Sequence, residues 1–227
     1  MNQIKDQWDS RQKELGNTNR AVLFKNFPAS FNQKLHQEHL EFISKNLPDN
    51  PASILDVGCG YGRLSLPLKE NLPDTEFNGV ELCDEFAHSY IANVGACYTG
   101  SLVDFKTDKQ YDAILLVTVL MYLSPAERKD ALKKLWDCLA PRGKLILIEP
   151  YYNFLTAWRR RLQLSYFSPT GGEVKYFRRS EFENILRENL LDSNLIVTKF
   201  FNMPYTFFPR LHIGLVLEKS SHNIHKD

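Results

Sequence analysis

The chain has 227 residues, of which 43% are hydrophobic and 24% charged, and a formal net charge of +1. That length suits one well-buried domain, and a near-neutral charge argues against a protein whose main task is gripping nucleic-acid backbone, which leaves a basic footprint. The longest apolar run, AILLVTVLMYL at 113–123, is well short of the ~20 residues of a membrane span, and the polar N-terminus lacks a signal peptide's apolar core, so a cytoplasmic protein is expected.

In chain order, the first predicted element is a helix over 32–46 that carries Leu35, Leu40 and Ile43. Strands are predicted at SILDV (53–57), EFNGVE (76–81), CYTG (97–100), YDAILLV (111–117), KLILIEP (144–150), LIVTKFF (195–201) and HIGLVLE (212–218). The continuous apolar runs AILLV and LILI fit strands covered on both faces. A helix follows Ser124 as N-cap and Pro125, with Ala131, Leu132, Leu135 and Leu139 on one face. Another starts at Ser180 with Phe182, Ile185 and Leu186. Strands alternating with helices predict an α/β protein, a mostly parallel sheet with helices on both faces. A single domain over 1–227 is expected, with 1–50 as an N-terminal helical cover, 51–150 as the ligand-binding half, 151–179 as a lid-like insertion and 180–227 as the final helix and strands.

Gly58, Gly60 and Gly62 stand where the first strand turns into a helix. Glycine adopts positive φ and lets a ligand lie against bare backbone, so the loop is read as a binding loop. Its ligand is not a dinucleotide held in the usual way, because the third glycine of that fingerprint is replaced by Arg63. Nor does a Gly-Lys-Ser/Thr follow to cradle phosphates. Asp56, two residues ahead of Gly58, would repel pyrophosphate and suit an ammonium or sulfonium. Glu81 follows Gly60 by 21 positions, where nucleotide-binding α/β proteins place an acid for ribose hydroxyls.

ILDVGCGYGRLSLPL (54–68) and GVEL (79–82), with YTGSLVDF, YDAILLVTVLMYL and LAPRGKLILIEP in order behind them, resemble the motifs of class I S-adenosylmethionine-dependent methyltransferases. The resemblance covers about 53–150 and implies a Rossmann-like, seven-stranded sheet with its last strand antiparallel. It implies S-adenosylmethionine as cofactor and S-adenosylhomocysteine as product. Gly58, Cys59, Gly60, Tyr61 and Gly62 would pass beside the methionine part, with Asp56 near its amino group. Glu81 would hold the ribose hydroxyls, Leu82 would lie against adenine, Ser101 and Leu102 would flank its edge, and Val117 would line the pocket. Ser101 stands where many members carry an acid, and Met121 and Tyr122 stand where many small-molecule members carry an acid–histidine pair, so no catalytic residue transfers from the family.

The acceptor is expected to be a small molecule or saccharide-type metabolite, with oxygen slightly favoured over nitrogen. His36 and His39, one helical turn apart, are candidate bases, as are Tyr122 and Tyr152. Tyr151, Tyr152 and Arg179 are candidate acceptor contacts. Arg159, Arg160 and Arg161 make an anionic acceptor attractive, while Phe154, Leu155, Trp158 and Leu162 fit a helix that covers an apolar acceptor or touches a membrane surface. No metal is expected, since the histidines do not form H-E-x-x-H and Cys59, Cys83, Cys97 and Cys138 lack metal spacing. No nucleic-acid partner is expected. An RNA or protein methyltransferase and a catalytically silent cofactor-binding subunit are the rival readings.

Overall fold

The structure, a computed structural model, describes residues 2–152, 175–190, 193–202, 204–205 and 210–221. Three helices, α1 (Asn2–Leu15), α2 (Asn19–Val22) and α3 (Ala29–Asn46), precede β1 (Ser53–Val57). Next come α4 (Ser65–Asn71), β2 (Glu76–Glu81), α5 (Asp84–Asn93), β3 (Ala96–Thr99) and β4 (Tyr111–Val117). A 3-10 turn at Leu120–Tyr122 leads to α6 (Pro125–Asp137), β5 (Leu139–Pro150), α7 (Arg179–Asn189), β6 (Ser193–Asn202) and β7 (Arg210–Lys219). The sheet order is β3-β2-β1-β4-β5-β7-β6. The first five pair in parallel, and β7 runs antiparallel to both β5 and β6. This is the Rossmann-like sheet that the resemblance implied.

Side chains alternate across a strand, and here the alternation sorts them into two cores. Leu55, Val57, Ile114, Leu116, Leu145 and Leu147 meet Leu132 and Leu135 of α6 and Phe182 and Leu186 of α7. Their neighbours Ile54, Leu115, Ile146 and Ile148 meet Phe42 and Ile43 of α3, Leu68 of α4 and Tyr90 of α5. Both faces are covered, which is why AILLV and LILI read as unbroken apolar runs.

Several boundaries shift for local reasons. The α3 helix starts at Ala29 rather than 32, behind Pro28. The Asn32 side chain spends its polar atoms on the preceding loop: it accepts from the Phe24 amide at 2.9 Å and donates to the Phe24 carbonyl at 3.0 Å. The α6 helix begins as its sequence dictates, with Ser124 and Glu127 forming a capping box and Pro125 in the first turn. Leu139, expected on that helix, instead opens β5, because Cys138 caps the helix and Leu139 pairs with Tyr111. The α7 helix starts at Arg179, one residue before Ser180.

The N-terminal helices lie across the carboxyl ends of the strands. Arg11, almost fully buried, ties α1 to α2 by donating to the carbonyls of Arg20 and Leu23. Lys5 of α1 pairs with Asp84 at the start of α5 at 3.0 Å. Most of the expected lid, including Phe154 to Leu162, lies outside the described residues. Among the described residues no helix is long and apolar enough to cross a membrane.

Candidate active site

At the carboxyl ends of β1, β2 and β4 lies a cavity of about 360 Å³, a size within the roughly 300–1,000 Å³ of small-molecule sites. Gly58 and Gly60 form its floor, both with positive φ (68° and 56°). A Cβ on Gly58 would stand 2.5 Å from Val119 Cγ2, and one on Gly60 3.2 Å from Val22 Cγ1. Strain and crowding thus both demand bare backbone here.

Glu81, at the tip of β2, faces the cavity and is 7% exposed. Its Oε2 accepts the Gly60 amide at 2.8 Å, and its Oε1 accepts those of Leu82 and Cys83 at 2.8 and 2.9 Å. Burial raises its pKa while these three donors pull it back. Oε2 accepts one bond from the protein and keeps a lone pair for a hydroxyl.

A second strand-tip acid repeats the arrangement. Glu149, at the end of β5, is fully buried and accepts the amides of Val119 and Leu120 on Oε1 (3.0 and 2.7 Å) and of Met121 on Oε2 (3.2 Å). Burial pushes its pKa up to about 8 against those donors. A proton on Oε2 leaves all three bonds intact. Arg128 holds the same turn by donating to the Leu120 carbonyl at 2.8 Å. Val119 and Tyr122 of this turn form the cavity wall, and the Trp8 ring meets Tyr122 edge-on at 5.8 Å.

Of the residues singled out in the sequence, Gly58, Gly60, Glu81, Leu82, Ser101, Leu102, Val117 and Tyr122 line this cavity. Ser101 Oγ accepts the Val103 amide at 3.2 Å and keeps a lone pair. Four others do not line it. Asp56 is buried beneath the loop, accepts from Ser65 Oγ at 2.6 Å, and has its pKa pushed up to about 6 by burial. The Cys59 thiol turns under the sheet, 3.8 Å from that of Cys97. Tyr61 donates to Asn19 of α2 at 2.9 Å. Gly62 faces α5, where a Cβ would meet Val94 at 2.7 Å.

The histidine pair is not a pair of free bases. Arg63 is 3.0 Å from His36 Nδ1, and a guanidinium only donates, so a neutral His36 carries its proton on Nε2. His39 is fully buried, its Nε2 3.1 Å from His212 Nδ1. Neither ring lines the cavity. Tyr151, Tyr152 and Arg179 lie elsewhere as well: the Tyr151 ring packs on Phe200 at 4.9 Å, Arg178 sits over Tyr152 at 4.8 Å, and Arg179 pairs with Glu183 at 2.8 Å. Arg159, Arg160 and Arg161 lie outside the described residues. Among the described residues no three His, Cys, Asp or Glu side chains gather as metal ligands. Ile4, Trp8 and Val22 of the N-terminal helices and the anchoring role of Glu149 are contributions that sequence reasoning did not assign.

A family model described as a methyltransferase domain matches residues 29–191. The chain belongs to the class I S-adenosylmethionine-dependent methyltransferases. Among relatives of this methyltransferase, the carboxy-S-adenosyl-L-methionine synthase of Campylobacter hominis is 28% identical over 116 residues, 48% of each chain. The tRNA N(3)-cytidine methyltransferase METTL2 of Bos taurus is 26% identical over 200 residues, 75% of this chain and 52% of the relative. The chain thus spans about half the length of these two relatives. The magnesium protoporphyrin IX methyltransferase of Synechocystis PCC 6803, solved with S-adenosylhomocysteine bound, superposes with a TM-score of 0.69 over 96% of this chain and 98% of that one. At 19% identity that likeness is one of fold. The methyltransferase's cofactor is S-adenosylmethionine, and the bare loop, the Glu81 lone pair and the cavity volume fit its nucleoside.

Removing Glu149 orphans three amides, two of them in buried bonds, so Glu149→Ala is expected to cost about 3 kcal/mol or more in urea unfolding and to weaken S-adenosylhomocysteine binding by loosening the Val119–Tyr122 wall. A loss below about 1 kcal/mol would mean that the turn holds itself. Burial depresses the buried rings, His39 well below 6.5, His212 to about 3 and His36 to about 4, with the Arg63 charge adding to the effect. A base with a lowered folded pKa contributes stability that is intact above its unfolded value and lost below it. The urea midpoint is therefore expected to fall from pH 6.5 to 4, and less steeply in a His39→Gln, His212→Asn double variant; equal slopes would show that the pair contributes nothing to acid sensitivity.

Proposed function

We propose that the chain transfers a methyl group from S-adenosylmethionine to an oxygen of a small-molecule acceptor. The cofactor supplies a methyl on a sulfonium, a leaving group activated before it meets the protein. The chain's share is placement and exclusion of water, for which proximity alone supplies about 7–11 kcal/mol.

In this reading Glu81 Oε2 accepts a ribose hydroxyl, and the Gly60 amide holds that carboxylate in place. Gly58 and Gly60 let the methionine arm lie on the loop. Leu82, Ser101 and Leu102 flank adenine, with the Ser101 lone pair toward its amine. Ile4 and Trp8 close the cavity from above.

The observation that carries this reading is the cavity itself, where the glycine loop and Glu81 share a lining with Tyr122 and Glu127, side chains able to take a proton from an acceptor hydroxyl. A neutral alcohol needs such a general base, whose contribution is typically about 10²–10⁴-fold. The near-complete mutual coverage with the magnesium protoporphyrin IX methyltransferase supports a small-molecule acceptor. The tRNA relative supports RNA as the second reading, over half of that relative's length, against a net charge of +1.

Glu81→Gln is expected to weaken S-adenosylhomocysteine binding at least ten-fold by calorimetry; an unchanged Kd would remove the ribose role. With tritiated-methyl cofactor and size-fractionated extracts, label is expected in the small-molecule fraction. Label in RNA or protein would transfer the proposal to that class, and label nowhere would support a silent subunit.

A further inference from the structure

Arg63 leaves the glycine loop directly after Gly62 and is only 8% exposed. Its guanidinium has five donors, yet among the described residues its one hydrogen bond goes to the ring of His36. No carboxylate among the described residues stands within 4.0 Å of it. Asp56 is near enough to favour the charge, but its Oδ2 is engaged by Ser65. Burial lowers the Arg63 pKa to about 10, so the group remains a cation at neutral pH.

The surroundings are short of acceptors as well. His36 and His39 come from α3 and His212 from the start of β7, and burial keeps all three neutral. Among the described residues, Nδ1 of His39 has no hydrogen-bond partner although the ring is fully buried. His212 pairs with Pro150, so the cluster sits at the carboxyl end of β5, on the same edge of the sheet as the cavity. A buried guanidinium that no carboxylate touches is costly, and a ligand carboxylate in direct contact would offset that cost.

We propose that Arg63, beside His36 and one residue beyond the glycine loop, is the cation of a carboxylate subsite that a bound ligand completes. The proposal rests on the S-adenosylmethionine site described above. Two ligands carry the required group: the amino-acid end of the cofactor, and a carboxylate-bearing acceptor. Either would take the open guanidinium donors in the bidentate geometry that arginine favours.

The test uses Arg63→Met, which removes the charge and keeps the bulk, with Arg63→Lys as a second variant that keeps charge without the fork. The melting temperature of each variant is measured alongside, so that a loss of binding is read only from folded protein. S-adenosylmethionine and its decarboxylated analogue are titrated into each protein, and benzoate into each protein saturated with S-adenosylhomocysteine. A loss of ten-fold or more for S-adenosylmethionine with the decarboxylated analogue unchanged assigns the subsite to the cofactor, and Arg63→Lys should fall between. Equal binding of both nucleosides with benzoate binding lost assigns it to the acceptor. Wild-type binding of all three probes by Arg63→Met overturns the proposal, as does a parallel loss of both nucleosides. Failure of the wild type to bind either nucleoside would strike the cofactor site itself and take the subsite with it.

Discussion

The bond from the Gly60 amide to Glu81 Oε2 is the constraint on which the site depends. A loop with positive φ at Gly58 and Gly60 has many alternatives in an unfolded chain. Here its conformation is fixed from the neighbouring strand, by an acid placed at that strand's tip. Gly58 and Cys59 are held from the same side, both donating to the Val80 carbonyl. Parallel pairing of β1 with β2 sets Val57 against Val80, so the glycine loop and Glu81 leave the sheet together.

Glu149 does for the turn after β4 what Glu81 does for the turn after β1. Each is a carboxylate at the carboxyl end of a parallel strand, and each satisfies three amides that a turning chain would leave without partners. The cavity lies at the two turns they fix, where Gly58 and Val119 stand side by side in its lining. The N-terminal helices add the apolar cover: Trp8 and Val22 lie over the edge of the sheet and are held by Arg11 from within.

Much of this was legible in the sequence. Strands matching all seven of the sheet were predicted, the central ones marked by apolar runs bounded by turn residues, and the α6 start by Ser124 and Pro125. Seven of the eleven proposed cofactor contacts fall on the cavity wall, because a glycine loop and a strand-tip acid at fixed spacing are local signals with a geometric meaning. What escaped depended on contacts between distant segments. Whether the His36 and His39 rings are free was decided by Arg63 and His212. Trp8 at the cavity follows from how α1 docks, which no periodicity records. Glu149 is visible in the sequence as an acid at a strand end on the cofactor side, but which amides it holds is set by the turn after β4, a contact between distant segments.

A methyltransferase built this way needs little chemistry from its side chains and much from their placement. The most direct measurement of that placement is a crystal structure of the protein grown with S-adenosylhomocysteine. The account predicts a ribose hydroxyl on Glu81 Oε2 at ~2.5–3.0 Å and the amino-acid arm lying along Gly58 and Gly60. A nucleoside bound away from that strand tip, with Glu81 keeping only its backbone partners, would contradict it.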